Sequence, residues 1–183
     1  MARAFHDDPF FTFVLPDTVR RERVLPWLFG KTISYGLRYG SVYTTPSLEG
    51  IALWLGPEKP TLTGLGTLLT GLCLLPLKLG WQELKKSMRL ARSSDGLHKK
   101  SVTGRHWYLL GLGVEPSGQG RGVGGALLQP VLALADRERL VCYLDTNNPL
   151  NLPFYERFGF AVAGHAHDTQ GGPGTWCMRR QPK

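Results

Sequence analysis

Two short stretches of this chain hold residues whose types and spacing suit chemistry. In the first, Gly118, Gly120, Gly122, Gly124 and Gly125 crowd the segment that follows Val114-Glu115-Pro116. The apolar run Trp107 to Val114 precedes it and reads as a buried strand. Ala126, Leu127, Val131, Leu132 and Ala135 recur at helical spacing after it, so a helix is expected to open near Gly122. A glycine-rich turn that opens a helix presents free backbone N–H groups and the positive end of the helix dipole. It is a cradle for phosphate, and its ligand should be a nucleotide-like anion. In the second stretch, Asn148, Asn151 and Tyr155 recur at spacings of three and four. One face of a helix there carries two amides and a phenol. That helix follows the strand next to the loop, so its phenol can meet the reactive end of a ligand bound at the loop.

Two known motifs compete for the glycines. Gly120, Gly122 and Gly125 fit the dinucleotide pattern G-x-G-x-x-G, and Asp145 stands twenty residues further on, at the end of the next apolar run. In a dinucleotide fold, however, the glycines follow the strand almost directly and open the domain. Here Glu115 to Gln119 intervene, and too little chain follows for a full doubly wound sheet. The second motif is Gln/Arg-x-x-Gly-x-Gly/Ala, filled by Gln119, Gly122 and Gly124 and preceded by Val114-x-Pro116. That arrangement resembles the acetyl-CoA loop of the GNAT acyltransferases.

The elements that must position these residues follow from the rest of the chain. Its 183 residues suit one domain, 1–183, with enough mass to bury a substantial core. The formal charge of +8 and pI of about 9.7 could draw nucleic acid, a membrane surface or a polyanionic cofactor. The basic residues are scattered and no aromatic-interleaved basic stripe occurs, so solvated faces are expected and no nucleic-acid partner. Cys73, Cys142 and Cys177 are odd in number and far apart, with no metal-ligand spacing to histidine. They read as reduced, mostly buried thiols of a cytoplasmic protein, without a metal. No basic region followed by an apolar core opens the chain, so no secretory signal is expected.

Ala4 and Phe5 look like the last turns of a helix that runs into Asp8-Pro9. Asp17-Thr18 offers an N-cap for a helix through Arg20, Val24, Trp27 and Leu28, with Pro26 placed to kink it. Gly40 to Thr45 and Gly50 to Gly56 read as a hairpin around Pro46-Ser47-Leu48-Glu49. Thr61 to Leu77 holds seventeen residues without charge. Its glycines, threonines and Pro76 make it a weak membrane span, so one or two packed helices are expected and no transmembrane segment. Ser93-Ser94-Asp95-Gly96 reads as a turn, Arg105 to Val114 as the central strand and Leu140 to Asp145 as another, buried on both faces. Thr146 to Pro149 caps the short helix of Tyr155, which Gly159 closes. Phe160 to Ala163 and Thr175 to Arg179 can pair as final strands.

The run Asn148 to Phe160, with its tyrosine ahead of a Gly-Phe pair, is similar to the late GNAT signature. With Gly113-Val-x-Pro-x-x-Gln-Gly-x-Gly-x-Gly and the ending Thr175-Trp176-Cys177-Met178, the chain resembles the puromycin N-acetyltransferase type within that superfamily. The resemblance implies an α/β (α+β) fold: a mixed, mostly antiparallel central sheet, splayed at its middle strands and flanked by helices, with acetyl-CoA in the splay. It implies that the main chain of Leu112, Gly113 and Val114 pairs with the pantetheine amides. Backbone N–H groups of Gln119, Gly120, Arg121, Gly122, Val123 and Gly124 would hold the pyrophosphate. Asn148 would fix the cofactor arm or the helix start, and Tyr155 would protonate the departing thiolate. The proton acceptor stays open among Glu115, His106 and Asp145. Members of the superfamily normally begin with a strand ahead of the region matching Phe5 to Pro9; its loss would expose a strand edge and invite a homodimer. Leu150 and Asp145 stand where the nearest relatives commonly have arginine and glutamate. The implied activity is acetyl-CoA-dependent N-acetyltransfer to a primary amine of a small molecule. A dinucleotide-dependent oxidoreductase and a non-catalytic CoA-binding module are the alternatives.

Overall fold

The computed structural model describes residues 1–183. Residues 2–7 run as turns, not as the end of a helix. Asp8 then caps α1 (Pro9–Val14), accepting from the Phe10 N–H at 2.9 Å, and Pro9 supplies a first-turn residue with no N–H to waste. Asp17 caps α2 (Thr18–Tyr39) in the same way through the Arg20 N–H, and Pro26 lies inside that helix. The expected hairpin forms from β1 (Ser41–Thr44) and β2 (Gly50–Leu55).

The uncharged stretch after β2 folds as α3 (Gly64–Thr70), a 3₁₀ turn and α4 (Leu75–Leu79). Gly71 and Gly80, at φ of 78° and 82°, break it there, in a conformation that only glycine adopts without strain. No helix of the chain is long and apolar enough to cross a membrane. The expected turn at Ser93 to Gly96 does not exist: α5 runs unbroken from Trp81 to Ser101. Local preference is overridden because Leu90 and His98, on either side of the glycine, are buried, and Ser94 Oγ donates to Asp145 Oδ2 at 2.6 Å. Such burial outweighs the roughly 1 kcal/mol that a glycine costs in a helix.

After α5 come β3 (His106–Val114), α6 (Val123–Glu138), β4 (Val141–Thr146), α7 (Leu152–Glu156), β5 (Ala161–Ala166) and β6 (Thr175–Arg180). The six strands form one sheet in the order β1-β2-β3-β4-β6-β5. All neighbours are antiparallel except β3 and β4, whose connection crosses over through α6. The mixed, mostly antiparallel sheet flanked by helices is the fold expected from the sequence.

Alternation along the strands sorts the two faces. Ala52, Trp54, Trp107, Leu109, Cys142, Leu144 and Met178 point toward α6, where Leu127, Leu128, Val131, Leu132 and Ala135 close the largest core. Leu53 and Leu55 point the other way, against Tyr35 of α2. Cys142 and Cys177 are buried thiols, and burial pushes Cys142 up to about 12, while Cys73 is exposed.

Candidate active site

The parallel pairing of β3 with β4 begins at His106 opposite Val141 and ends at Leu109 opposite Leu144. On its other side, β3 stays paired with β2 as far as Val114. The register there skips Leu110, since Leu53 faces Gly111 while Trp54 faces Leu109. That bulge adds a residue and bends the strand away from β4. Leu112, Gly113 and Val114 therefore lie beyond the splay, with one edge of their backbone turned from any neighbouring strand.

Beyond Val114 the chain makes a 3₁₀ turn over Pro116–Gly118. Gln119 Nε2 donates back to the Val114 carbonyl at 3.1 Å, tying the loop to the strand it leaves. Gly120 and Gly122 both take positive φ, 74° and 82°, and Gly122 caps α6. The backbone N–H groups from Gly120 to Gly125 make no hydrogen bond within the chain. Orphan donors at the opening of a sixteen-residue helix are groups that can receive an anion.

α6 opens close against α7. A Cβ on Gly124 would stand 3.1 Å from Phe154 Cζ, and one on Gly125 would stand 2.6 Å from Phe158 Cζ. The last glycines thus set the distance between the loop and the helix that carries Tyr155. α7 itself starts from a cap: Asn148 Oδ1 accepts from the Leu150 N–H at 3.1 Å. Asn148 thus starts the helix, and it also lines the cleft described next. Asn151 donates to Thr146 Oγ1 at 3.3 Å, fixing the helix to the end of β4.

These parts surround one cleft of about 900 Å³. Leu112, Gly113, Val114, Gln119, Gly120, Gly122, Val123, Gly124, Asn148, Asn151 and Tyr155 all line it. Arg121 sits in the same loop, exposed and without an ion-pair partner, but its side chain is not part of the wall. The opposite wall is the segment Arg3 to Asp8, which sequence reasoning did not connect with the site. It approaches because β3 carries no side chain at Gly113: a Cβ there would lie 3.2 Å from Phe5 and 3.4 Å from Ala4.

Tyr155 is buried except toward the cleft, packed edge-on against Phe154 and Phe160. Its hydroxyl has no hydrogen-bond partner in the chain. Burial raises its pKa above the ordinary phenol value, and the charges of Asp145 and Asp8 raise it further. A neutral phenol with a free hydroxyl, in a cleft that is also lined by unpartnered N–H groups, is suited to donate a proton to a departing anion.

The three candidate proton acceptors are engaged elsewhere. Glu115 is ion-paired with Arg3 at 3.0 Å. Asp145 faces α5, accepting from Ser94 and from Tyr108 at 2.7 Å, and its burial raises its pKa despite both bonds. His106 is at the far end of β3, bonded to the Gly104 carbonyl at 2.8 Å and to His98 at 2.7 Å. The dinucleotide alternative fails on the same geometry. Asp145 does not line the cleft that the glycines form, and the sheet is not the parallel doubly wound one that motif requires. Leu150 is 82% exposed beside the helix start.

Known proteins are similar to this chain in sequence and in fold. Residues 82–160 match the model of the Acetyltransferase (GNAT) family. An uncharacterized N-acetyltransferase of Schizosaccharomyces pombe is 28% identical over 163 residues, which is 86% of this chain and 66% of the relative's length. The chain therefore spans just under two thirds of that relative. A crystal structure of histone acetyltransferase HPA2 and related acetyltransferase from Corynebacterium glutamicum superposes with a TM-score of 0.61 at 21% identity, covering 100% of this chain and 87% of the other. That likeness is one of fold. The family match over residues 82–160 and the 28% identical relative are both to N-acetyltransferase sequences, and the likeness to the solved structure is to its fold.

Proposed function

We propose that this GNAT-type acetyltransferase moves the acetyl group of acetyl-CoA to a primary amine of a small molecule. The observation that carries the reading is the cleft itself: unpartnered N–H groups from Gly120 to Gly125 at one end and the free hydroxyl of Tyr155 in the same space. The loop N–H groups would hold the pyrophosphate. The open edge of Leu112 to Val114 would pair with the pantetheine amides and offer an N–H to the thioester oxygen. Holding amine and thioester at near-attack distance accounts for much of the acceleration, about 7–11 kcal/mol in good cases. Tyr155 would protonate the thiolate as it leaves.

The likeness of Gly113 to Gly124 and Asn148 to Phe160 to the puromycin N-acetyltransferase type makes aminonucleosides the first acceptors to try. On this reading residues 1–183 act as one cytoplasmic domain, with no metal and no nucleic-acid partner. β5, an edge strand with Val162 46% exposed, supports self-association as a homodimer.

Calorimetry with acetyl-CoA and with NAD(P)H tests the cofactor. Turnover of acetyl-CoA against aminonucleosides, aminoglycosides, polyamines and peptide N-termini tests the reaction. Binding of acetyl-CoA with acetylation of one acceptor class is expected. Binding with no turnover across the panel would favour a non-catalytic CoA-binding module.

A further inference from the structure

Resting on that reading, we propose that Asp8 is the group that takes the proton from the attacking amine. Asp7 and Asp8 are the carboxylates that line the cleft. The Asp7 side chain is 86% exposed, holds His6 Nδ1 at 2.7 Å, and has Arg21 Nη2 3.8 Å away. Asp8 is half-buried, forms no ion pair, and lies on the wall of the cleft that Tyr155 also lines. Glu115, Asp145 and His106 do not line the cleft, and each is engaged by the partners described above.

Asp8 is also held still. Its Oδ1 accepts from Phe10 N–H, its carbonyl accepts from Thr12 N–H at 2.9 Å, and its own N–H donates to the Phe5 carbonyl at 3.2 Å. The Phe5 ring is packed against Phe29 with centroids 5.0 Å apart. Burial raises the Asp8 pKa above the ordinary carboxylate value, and the N–H groups of Phe10 and Phe11 offset this only in part. A carboxylate moved toward neutrality is the stronger base.

The step balances without another reactant. The amine lone pair forms a C–N bond to the thioester carbonyl carbon, and the nitrogen, now carrying positive charge, gives one proton to Asp8. The C–S bond breaks, and the sulfur takes a proton from Tyr155. The proton on Asp8 returns to the tyrosinate through solvent.

The test is Asp8→Asn, with Asp8→Ser beside it. Both replacements cap a helix about as well as aspartate, so α1 should survive. For both, kcat should fall by about 10²–10⁴ while KM for acetyl-CoA holds. The acid limb of kcat at saturating amine should disappear. The charged and titratable groups that line the cleft with Asp8 are Arg3, Asp7, Tyr155 of α7 and Arg157; His6 and Arg21 of α2 stand beside Asp7, and the Asp145 charge of β4 acts on Tyr155. Asp145→Asn should therefore keep the acid limb that Asp8→Asn loses. Wild-type turnover that persists in Asp8→Asn, acid limb included, overturns this assignment alone. Acetyl-CoA binding with no wild-type turnover on any amine overturns the transfer reading and the assignment together.

Discussion

Arg180 donates from both terminal nitrogens to the two carboxylate oxygens of Asp136, each at 2.7 Å. Its Nε donates to the Phe158 carbonyl at 3.0 Å. One guanidinium thus ties β6 to the end of α6 and to the turn that closes the Tyr155 helix. These hydrogen bonds hold the Asp136 carboxyl down at about 2. The Arg180 side chain is only 4% exposed, so Asp136→Ala would leave a buried cation without a partner. The expected loss is about 3 kcal/mol, read by denaturant titration at neutral pH. A loss below about 1 kcal/mol would mean that water or another acceptor serves Arg180 equally well.

Acid should destabilise the fold through His98. This residue is 8% exposed and stacked on Tyr143 with centroids 4.1 Å apart. His106 Nδ1 faces the Gly104 carbonyl and so carries its proton there, which leaves its Nε2 to accept from His98. Burial first, and then the neighbouring His106, lower the His98 pKa from 6.5 to about 4. A depressed histidine pKa means the unfolded chain binds the proton first. The contribution is fully present above pH 6.5 and is lost as pH falls through about 4. Its size is roughly 3 kcal/mol. Melting temperatures between pH 7 and pH 4 should fall in the wild type and fall less in His98→Phe, when each is measured against its own value at pH 7. Equal slopes for the two proteins would remove His98 from the account.

The parts of this fold that could be read in the sequence were those with local rules. Asp17 and Asn148 announced helix starts, Gly122 a loop-to-helix junction, and the apolar and β-rich runs their strands. Ser93 to Gly96 misled because four turn-prone residues lie inside a helix whose flanking Leu90 and His98 are buried. The loop and Tyr155 could be found because their spacing is short. The Arg3 to Asp8 wall could not, since it reaches β3 only across more than a hundred residues of chain. Gly111 and Gly113 were its only trace, and alone they read as ordinary strand glycines.

Arg121 offers the clean test of the phosphate cradle. The glycines themselves are poor probes, because the structure gives them a second job. Gly122 has φ of 82°, and a side chain there is strained whatever the space around it. Gly122→Val should therefore lose stability as well as cofactor affinity. Arg121 is exposed and makes no ion pair, so Arg121→Glu should change stability by less than about 0.5 kcal/mol. A like charge beside the pyrophosphate should weaken acetyl-CoA at least tenfold, about 1.4 kcal/mol, in calorimetry. Unchanged affinity would place the anion elsewhere than this loop.

Tyr155→Phe tests the acid. The hydroxyl makes no hydrogen bond within the chain, so its removal leaves no partner stranded. The ring keeps its edge-on contacts with Phe154 and Phe160. Melting temperature and acetyl-CoA affinity should therefore hardly move. If the hydroxyl protonates the thiolate, kcat should fall by about 10²–10⁴ with KM for acetyl-CoA nearly constant. Burial and the charges of Asp145 and Asp8 all raise the Tyr155 pKa, so the phenol stays protonated across the neutral range. No basic limb from this residue should appear in the pH–rate profile below pH 9. Single-turnover rates are the ones to compare, since slow product release would hide part of the loss. An unaltered single-turnover rate would assign the proton to water. A large fall in melting temperature would instead make Tyr155 a packing residue, with the rate loss following from a disordered α7.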